Sequence, residues 1–270
     1  MMPKVKPAPS IGRSLLVRTL TEWGVGGRRA PATAFSTRIA DLIDISSAIE
    51  LSDFFKLLKN QTADGTAPSP DRLIQYEQHI EAMREAIERG FIDRGFKGAI
   101  DGEAVAGRAH TSGKNVQLPE VTTESLHDPQ AFKPYARFYS LQQSEFERRT
   151  SIIRSLLLSE LRAQSDELAR VAALDAVLEP LLLNFGRRCF AVIPDLLEHR
   201  FEYWRERQRH CDGETGAGST VADWTGAGGW ITQFHWDMRR LLRAEMELRT
   251  EPLRGLLKTL GYELSVEEYA

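Results

Sequence analysis

Two charged residues, Glu245 and Arg249, interrupt the most regular apolar stripe of the chain. At 100° per residue they fall on the same helical face as the stripe, one turn apart. A carboxylate and a guanidinium at such positions must pair, because an isolated buried charge costs several kcal/mol. A catalytic role would need a nucleophile and a pocket, and the sequence offers no candidate for either. We therefore predict two structural buried charges at a helix–helix contact. The stripe consists of Trp230, Phe234, Met238, Leu241, Leu242 and Leu248.

Two further charges, Asp175 and Arg200, lie on or beside the apolar stripe of the preceding long helical segment. We predict that they are structural buried charges as well, and that they join Glu245 and Arg249 in one network. Such a network would set the register of facing helices rather than perform chemistry. The second stripe comprises Leu168, Val171, Leu174, Leu178, Leu182, Phe185, Cys189, Val192 and Leu196.

Arginines and aromatic residues alternate between His199 and His210. Arginine beside aromatic rings is a pattern that holds phosphates and stacks bases. Glutamates in the same run lie three or four residues from the arginines, so we favour a solvated, self-paired helix face. Contact with nucleic acid or an acidic partner is the alternative. Trp236 is an exposed aromatic on the polar side of its helix, and hence an interface candidate. The candidate binding residues are Arg205, Arg207, Arg209, Arg239, Arg240, Arg243, Trp204 and Trp236.

Metal and cofactor motifs are missing from the sequence. His199 and His210 are about 16 Å apart along a helix, too far to share a metal ion. Cys189 and Cys211 form no CxxC spacing, and no phosphate-binding GxxxxGK[ST] or nucleophilic GxSxG motif occurs. We predict no metal and no cofactor, and a non-enzymatic role is favoured over an enzyme. A two-metal nuclease finds little support, since the acidic residues are mostly interleaved with arginine.

Composition indicates a soluble protein. Its net charge is −3, with 42% hydrophobic and 27% charged residues, so strong overall attraction to DNA or to anionic membranes is not expected. The apolar runs fall short of the ~18 residues needed to span a bilayer. Arg13 and Arg18 interrupt the N-terminal apolar run, which is therefore not read as a signal peptide. With free thiols that suit a reducing compartment, the expected location is cytoplasmic.

Helical periodicity without strand-like alternation predicts an all-α fold, an antiparallel bundle of long helices with a smaller N-terminal helical part and long flexible loops. Long helices are expected at 135–164, at 166–210 with kinks at Pro180 and Pro194, and at 230–250, with a short last helix from Pro252. The organisation predicted is a flexible tail (1–10), an N-terminal helical part (11–59), a linker (60–70), a helix (71–90), a flexible loop (91–130) and a C-terminal bundle (131–264) with a loop at 212–229.

Four stretches outside the loops resemble an uncharacterised proteobacterial family of helical proteins, classed as a domain of unknown function. No catalytic residues are established for that family, so the resemblance assigns none here. The most specific stretch is the last, with its W…F…DMRRLL.AE..LR..P..GLL pattern. The four are LIDISSAIELSDFF (42–55), AALDAVLEPLL (172–182), PDLLEHRFEYWR (194–205) and GWITQFHWDMRRLLRAEMELRTEPLRGLLKTL (229–260).

The resemblance implies a functional context. In their genomic setting, the genes of this family resemble genes that lie next to those for MotA/TolQ-like proton channels and OmpA/MotB-like peptidoglycan-binding proteins. One such setting is Zorya anti-phage defence, whose type III variant looks as if it uses a protein of this kind as a cytosolic accessory. The expected function is thus a cytosolic accessory or effector subunit of a MotA/MotB-like defence system. Its expected partners are a second soluble subunit of the same operon, the membrane complex, or both, with self-association also open. The alternative is a nucleic-acid-binding helical protein that uses the arginine and aromatic surface.

Overall fold

A computed structural model describes residues 14–25, 65, 67–91, 118, 121–123, 127–215 and 218–261. These residues form seven α-helices and no β-strand, which confirms the all-α prediction. The helices are α1 (Leu15–Glu22), α2 (Pro70–Phe91), α3 (Lys133–Gln164), α4 (Asp166–Ala191), α5 (Ile193–Thr215), α6 (Val221–Thr225) and α7 (Trp230–Thr259).

Helix α7 is the centre of the fold, in contact with α1, α2, α3, α5 and α6. Its predicted apolar stripe is buried, with Phe234, Met238, Leu241 and Leu242 fully inaccessible to solvent. At the N-terminal end of α7, aromatic rings from three helices meet at centroid distances of 5.0 to 5.7 Å, mostly edge to face. This cluster closes one end of the core. Its members are Phe132, Tyr135, Phe201, Trp230 and Phe234.

Helices α3 and α4 form an antiparallel hairpin with a single residue, Ser165, between them. Ser165 is extended (φ −160°, ψ 157°), which ends α3, and its hydroxyl accepts the Leu168 N–H at 3.2 Å, which caps α4. Three ion pairs cross the hairpin, from Arg154 to Asp175 and Glu179 and from Arg187 to Glu147. The junction and these pairs therefore hold α4 alongside α3.

The predicted single helix over 166–210 is two helices, and this prediction was wrong at Val192. Pro180 remains inside α4, whereas Pro194 lies in the first turn of α5. A proline in a first turn lacks only an N–H that has no intrahelical partner, so it favours a helix start there rather than a kink.

The predicted loop 212–229 and the predicted helix start at Pro252 also differ from the structure. Helix α5 continues to Thr215, and α6 begins with a capping box in which Thr220 and Asp223 each bond the other's backbone N–H. Pro252 lies within α7, where the buried face continues through Leu253 and Leu257. Burial of that face outweighs the hydrogen bond that the proline removes.

The N-terminal predictions are only partly covered. Of the predicted N-terminal helical part (11–59), the structure describes helix α1, whose hydroxyl cap is Ser14. Helix α2 spans the predicted 71–90 and begins one residue earlier, at Pro70. The tail 1–10, most of the predicted N-terminal helical part and most of the predicted loop 91–130 lie outside the described residues.

The apolar stripe of α4 is not part of the core. Helix α4 packs on α3 through a narrow side that buries the small residues Ala169, Ala172 and Ala173. The large residues along the neighbouring side are exposed or half-buried. We call this set the α4 stripe: Val171, Leu174, Leu178, Leu182, Phe185, Cys189 and Val192.

Candidate functional site

The Glu245 carboxylate is completely buried between α7 and α3 and receives hydrogen bonds from three side chains. Tyr139 Oη donates at 2.9 Å, Gln143 Nε2 at 3.0 Å and Arg249 Nε at 2.8 Å. Both carboxylate oxygens are bonded, and Arg249 lies one turn along the same helix. The geometry meets the requirement that a buried charge be paired and hydrogen-bonded.

The Glu245 cluster also includes α4. The Arg249 guanidinium lies 4.1 Å from the centroid of the Phe190 ring. Gln143 Nε2, which donates to Glu245, is also 3.1 Å from the Phe190 carbonyl oxygen. Cation–π attraction and the shared amide therefore connect three helices through one carboxylate.

Burial gives Tyr139 a defined protonation state. The pKa of Tyr139 is raised well above its usual value of 10, mainly because its hydroxyl is buried. The negative charge of Glu245 and the hydrogen bond from Tyr139 to Glu245 raise it further. The phenol therefore stays protonated and keeps donating across the physiological range. Because the Glu245 carboxylate is inaccessible to solvent, the cluster holds helices together and does not offer a reacting group to a substrate.

Asp175 and Arg200 do not join this cluster. Asp175 pairs with Arg154 at 2.8 Å inside the α3–α4 hairpin, and Arg200 pairs with Asp237 at 2.6 Å between α5 and α7. The prediction of one four-charge network was wrong, since the structure divides the four residues among three separate clusters. The helical angle of a side chain identifies its face but not the neighbouring helix that it meets.

The Arg200 guanidinium lies among three aromatic rings. Its carbon is 4.7 Å from the Tyr203 centroid, 4.9 Å from Trp204 and 5.5 Å from Trp23. Asp237 accepts both Arg200 Nε and the Trp204 indole N–H, the latter at 2.7 Å. This cluster fixes α1 and α5 to α7. Asp237 and Trp23 were not among the sequence-based candidates, because neither has a distinctive local spacing.

The arginines of α5 mostly bind acidic groups of the same chain. Arg205 is only 6% exposed and forms a double contact with Glu202, while its Nη1 donates to the Asp128 carbonyl at 2.6 Å. Arg209 pairs with Glu206 at 3.1 Å. Arg207 lies over the Trp204 ring at 5.5 Å. These contacts are those of a self-paired helix face, and Arg205 is a buried structural residue.

The arginines of α7 present a different surface. Arg240 pairs with Glu22 of α1 at 2.6 Å, and Arg243 with Glu247 at 3.4 Å. Arg239 and Arg243 lie one turn apart on α7, and partial burial together with the positive charge of Arg243 lowers the pKa of Arg239. Beside them Trp236 is 57% exposed. We call this set the Trp236 surface: Trp236, Arg239, Arg240 and Arg243.

A second buried acid, Glu160, was missed by the sequence analysis. It accepts a hydrogen bond from Tyr76 Oη at 3.0 Å and pairs with Arg72 at 2.5 Å. The two partners lie on α2, more than eighty residues away along the chain, so no spacing rule could identify them. Together with Arg254 of α7, which pairs with Glu77 and Glu81, this contact attaches α2 to the core.

His235 is buried against the Tyr135 ring, with a centroid distance of 5.6 Å, and its Nε2 has no hydrogen-bond partner. Burial lowers the pKa of His235 to about 4. The imidazole is therefore neutral at physiological pH. No motif in the sequence singles out this residue.

An open depression runs along α5, with Glu202, Arg207, His210 and Glu214 among its lining residues. All of its described lining residues come from this one helix, so it does not bring together groups from different elements. Among the described residues, His, Cys, Asp and Glu side chains form no group of three that could hold a metal ion. None of the described helices is both long and apolar enough to cross a bilayer.

Comparison with known proteins places the chain in one family. A family model described as "Protein of unknown function (DUF3348)" matches residues 2–262. The chain therefore belongs to this family, which agrees with the resemblance of its sequence to a domain of unknown function. No curated protein and no solved structure matches it.

Proposed function

We propose that this protein is a cytosolic accessory subunit of a proton-driven, MotA/MotB-like anti-phage defence system, and that it acts by binding other proteins. The defence context rests on the resemblance described above. The observation that supports a protein-binding role is the Trp236 surface, where a largely exposed tryptophan lies beside three arginines on the central helix.

The composition of this surface is typical of binding hot spots. Tryptophan, tyrosine and arginine are the residue types most enriched among residues whose truncation strongly weakens protein complexes. Tyr203, which is 49% exposed, lies on the Arg200 guanidinium, and that guanidinium pairs with Asp237, the residue next to Trp236. The core helix α7 positions Trp236, so binding would require little ordering of the free protein.

Co-purification tests the proposal directly. The tagged full-length chain is recovered from cells that also express the channel pair and the second soluble subunit of the operon. We expect one or more of these proteins to co-elute. Trp236→Ala should weaken the affinity about 30-fold, the loss for a hot spot of about 2 kcal/mol, and so lower the recovery of the partner. Ile152→Ala on α3 is the matched control, since Ile152 is 48% exposed but lies on a different helix.

Two outcomes would refute parts of this proposal. Recovery of the chain from its native host without any of these proteins would refute the accessory role. Equal recovery with Trp236→Ala and Ile152→Ala would retain that role and exclude the Trp236 surface as the contact.

Binding of nucleic acid is the second candidate, and the closeness of Arg239 and Arg243 favours it. Two neighbouring cations beside an exposed indole can contact a phosphate backbone and a base. The candidate predicts duplex or single-stranded DNA affinity that falls steeply with salt, and each arginine removed should lower the salt slope by about 1. Arg239→Glu with Arg243→Glu should abolish this affinity, whereas Arg162→Glu at the exposed end of α3 should not. No binding at low salt would exclude it.

A further inference from the structure

Helix α1 ends beside the Trp236 surface, and one of its residues binds an arginine of that surface. The Glu22 carboxylate pairs with the Arg240 guanidinium at 2.6 Å. Arg240 lies one turn along α7 from Trp236, so this ion pair borders the exposed indole. The chain itself therefore shows which chemistry Arg240 accepts at the edge of the surface, namely a carboxylate.

The next residue, Trp23, makes the second contact at this end of α1. Its ring centroid lies 5.5 Å from the Arg200 guanidinium carbon, and Arg200 pairs with Asp237 of α7. Asp237 directly follows Trp236 in the chain. An acidic and an aromatic residue, adjacent in sequence, therefore attach α1 to α7 and α5 through two arginines.

The ion pair that holds this end of α1 is accessible to solvent. The side chain of Glu22 is 48% exposed and that of Arg240 is 29% exposed. An exposed pair stabilises a contact only slightly, because water and salt screen its charges. Another carboxylate can replace Glu22 on Arg240 without leaving a buried charge unpaired.

The apolar attachment of α1 is small compared with that of α2. Only Leu16 and Thr19 of α1 are buried, and an isolated helix of eight residues is not stable in water. Segments with few buried apolar residues open at a lower free-energy cost than the core does. Helix α1 can therefore leave α7 while the rest of the fold remains intact. By contrast, α2 buries four large side chains, Leu73, Tyr76, Ile80 and Met83.

From these observations we infer that α1 is a displaceable strap at the edge of the Trp236 surface, and that this surface binds an acidic segment of its partner. A strap here means a segment that leaves the site while the rest of the chain stays folded. A carboxylate of the partner takes the place of Glu22 on Arg240, α1 leaves, and the bound segment extends over Trp236. The inference rests on the proposed protein-binding function, to which it adds the chemistry of the partner and the regulation of the site.

Hydrogen exchange of the full-length chain tests whether α1 opens independently. The amides of residues 18–25 are hydrogen-bonded within α1 and its C-terminal cap. After correction for intrinsic rates, we expect them to exchange at least about 100-fold faster than those of residues 241–250 in the middle of α7. Equal protection of the two segments would show that α1 unfolds only with the core, and would overturn the inference.

The contribution of Glu22 to the closed state is measured in the same way. Glu22→Gln should raise the exchange of α1 by a further factor of about 2 to 5, as for the loss of an exposed ion pair. Glu247→Gln is the matched control, because Glu247 pairs with Arg243 within α7, and it should leave the exchange of α1 unchanged. Equal effects of the two substitutions would contradict a strap held by Glu22.

The co-purification assay described above tests the competition for Arg240. Glu22→Gln removes the internal competitor, so it should strengthen partner binding about 2- to 5-fold and raise the recovery of the partner. In an Arg240→Gln background the same substitution should have no effect, because the arginine for which both carboxylates compete is absent. Arg148→Gln, at an exposed arginine paired with Glu145 on α3, should leave the effect of Glu22→Gln intact. Circular dichroism verifies that all variants keep their helix content.

The outcomes separate this inference from the proposed function. If Glu22→Gln recovers no more partner than the native chain does, or acts equally in the Arg240→Gln background, the competition is refuted and the protein-binding role stands. If no partner is recovered with any variant, the proposed function fails as well. Independent opening of α1 in hydrogen exchange would then remain a property of the fold, without the role in binding that we infer.

Discussion

The hydroxyl of Tyr139 on α3 and the carboxylate of Glu245 on α7 lie 2.9 Å apart, although 106 residues separate them in the chain. Both side chains are fully buried. Glu245 receives two more donors, Gln143 and Arg249, so the charge is satisfied without solvent. The contact fixes the register of the two longest helices and predicts how the fold responds when the cluster is altered.

Removing Arg249 should destabilise the protein strongly. Arg249→Met leaves the buried Glu245 charge without its cation, an uncompensated charge that typically costs about 3–5 kcal/mol. The double variant with Glu245→Met and Arg249→Met removes the charge as well, and should lose less stability than Arg249→Met alone. Urea denaturation measures all three free energies of unfolding. If the double variant is less stable than Arg249→Met by the cost of a further deletion, the two residues do not act as a pair.

Stability should fall as the pH is lowered from about 6.5. His235 has a pKa of about 4 in the folded protein and an ordinary value of 6.5 when unfolded. Between these values the unfolded state binds more protons, so the free energy of unfolding rises with pH in this window. The full effect of about 2.5 pKa units is on the order of 3 kcal/mol.

Comparing the native protein with His235→Phe isolates the contribution of His235. Acidic groups such as Glu145, whose pKa is about 2, titrate below this pH window. The variant should show a flatter dependence of unfolding free energy on pH between 5 and 6.5. Identical slopes in native protein and His235→Phe would contradict the assignment.

Gly229 should tolerate no side chain. A Cβ at this position would lie 2.1 Å from the Trp224 carbonyl oxygen and 2.3 Å from that of Asp223. Because both neighbours are backbone atoms, the turn before α7 would have to open, and we expect Gly229→Ala to cost several kcal/mol. At Gly213 a Cβ would meet no atom within 4 Å, so Gly213→Ala within α5 should be neutral or stabilising by up to about 1 kcal/mol. Thermal unfolding compares the two, and a Gly229→Ala melting temperature equal to the native one would exclude the close contact.

Arg205 and Arg209 should respond differently to substitution despite their similar sequence context. Arg205→Ala removes a buried guanidinium that binds Glu202 and the Asp128 carbonyl, and should cost about 1–3 kcal/mol. Arg209→Ala removes a more exposed pair with Glu206 and should cost less than about 0.5 kcal/mol. Equal losses in chemical denaturation would show that burial does not distinguish them. A charge reversal at Arg205 would consequently disturb folding and is unsuitable for testing DNA binding.

The sequence was sufficient to predict features that depend on one helix at a time. The 3.6-residue periodicity of α7 identified its buried face, including the position of Glu245 within it. Features that depend on contacts between helices could not be predicted. Tyr139 and Gln143 are separated from Glu245 by over a hundred residues, and no pattern in one sequence links them.

Apolar periodicity was also insufficient to separate core from surface. The stripes of α4 and α7 look alike in sequence, yet one is exposed and the other buried. The difference arises because α4 packs on α3 through its alanines. A search for regularly spaced large apolar residues does not detect such a face. Proline was ambiguous for a related reason. Pro194 begins a helix and Pro252 does not, because only the latter lies where a continuous buried face favours helix on both sides.

The central position of α7 constrains when the protein can fold during synthesis. Translation delivers α1, α2, α3 and α5 before the helix against which they pack. Until residue 259 has left the ribosome, the core that contains Ile80, Leu157 and Phe201 lacks the residues that α7 contributes to it. The nascent chain therefore carries uncovered apolar faces until α7 has been synthesised, which favours aggregation over folding during that interval.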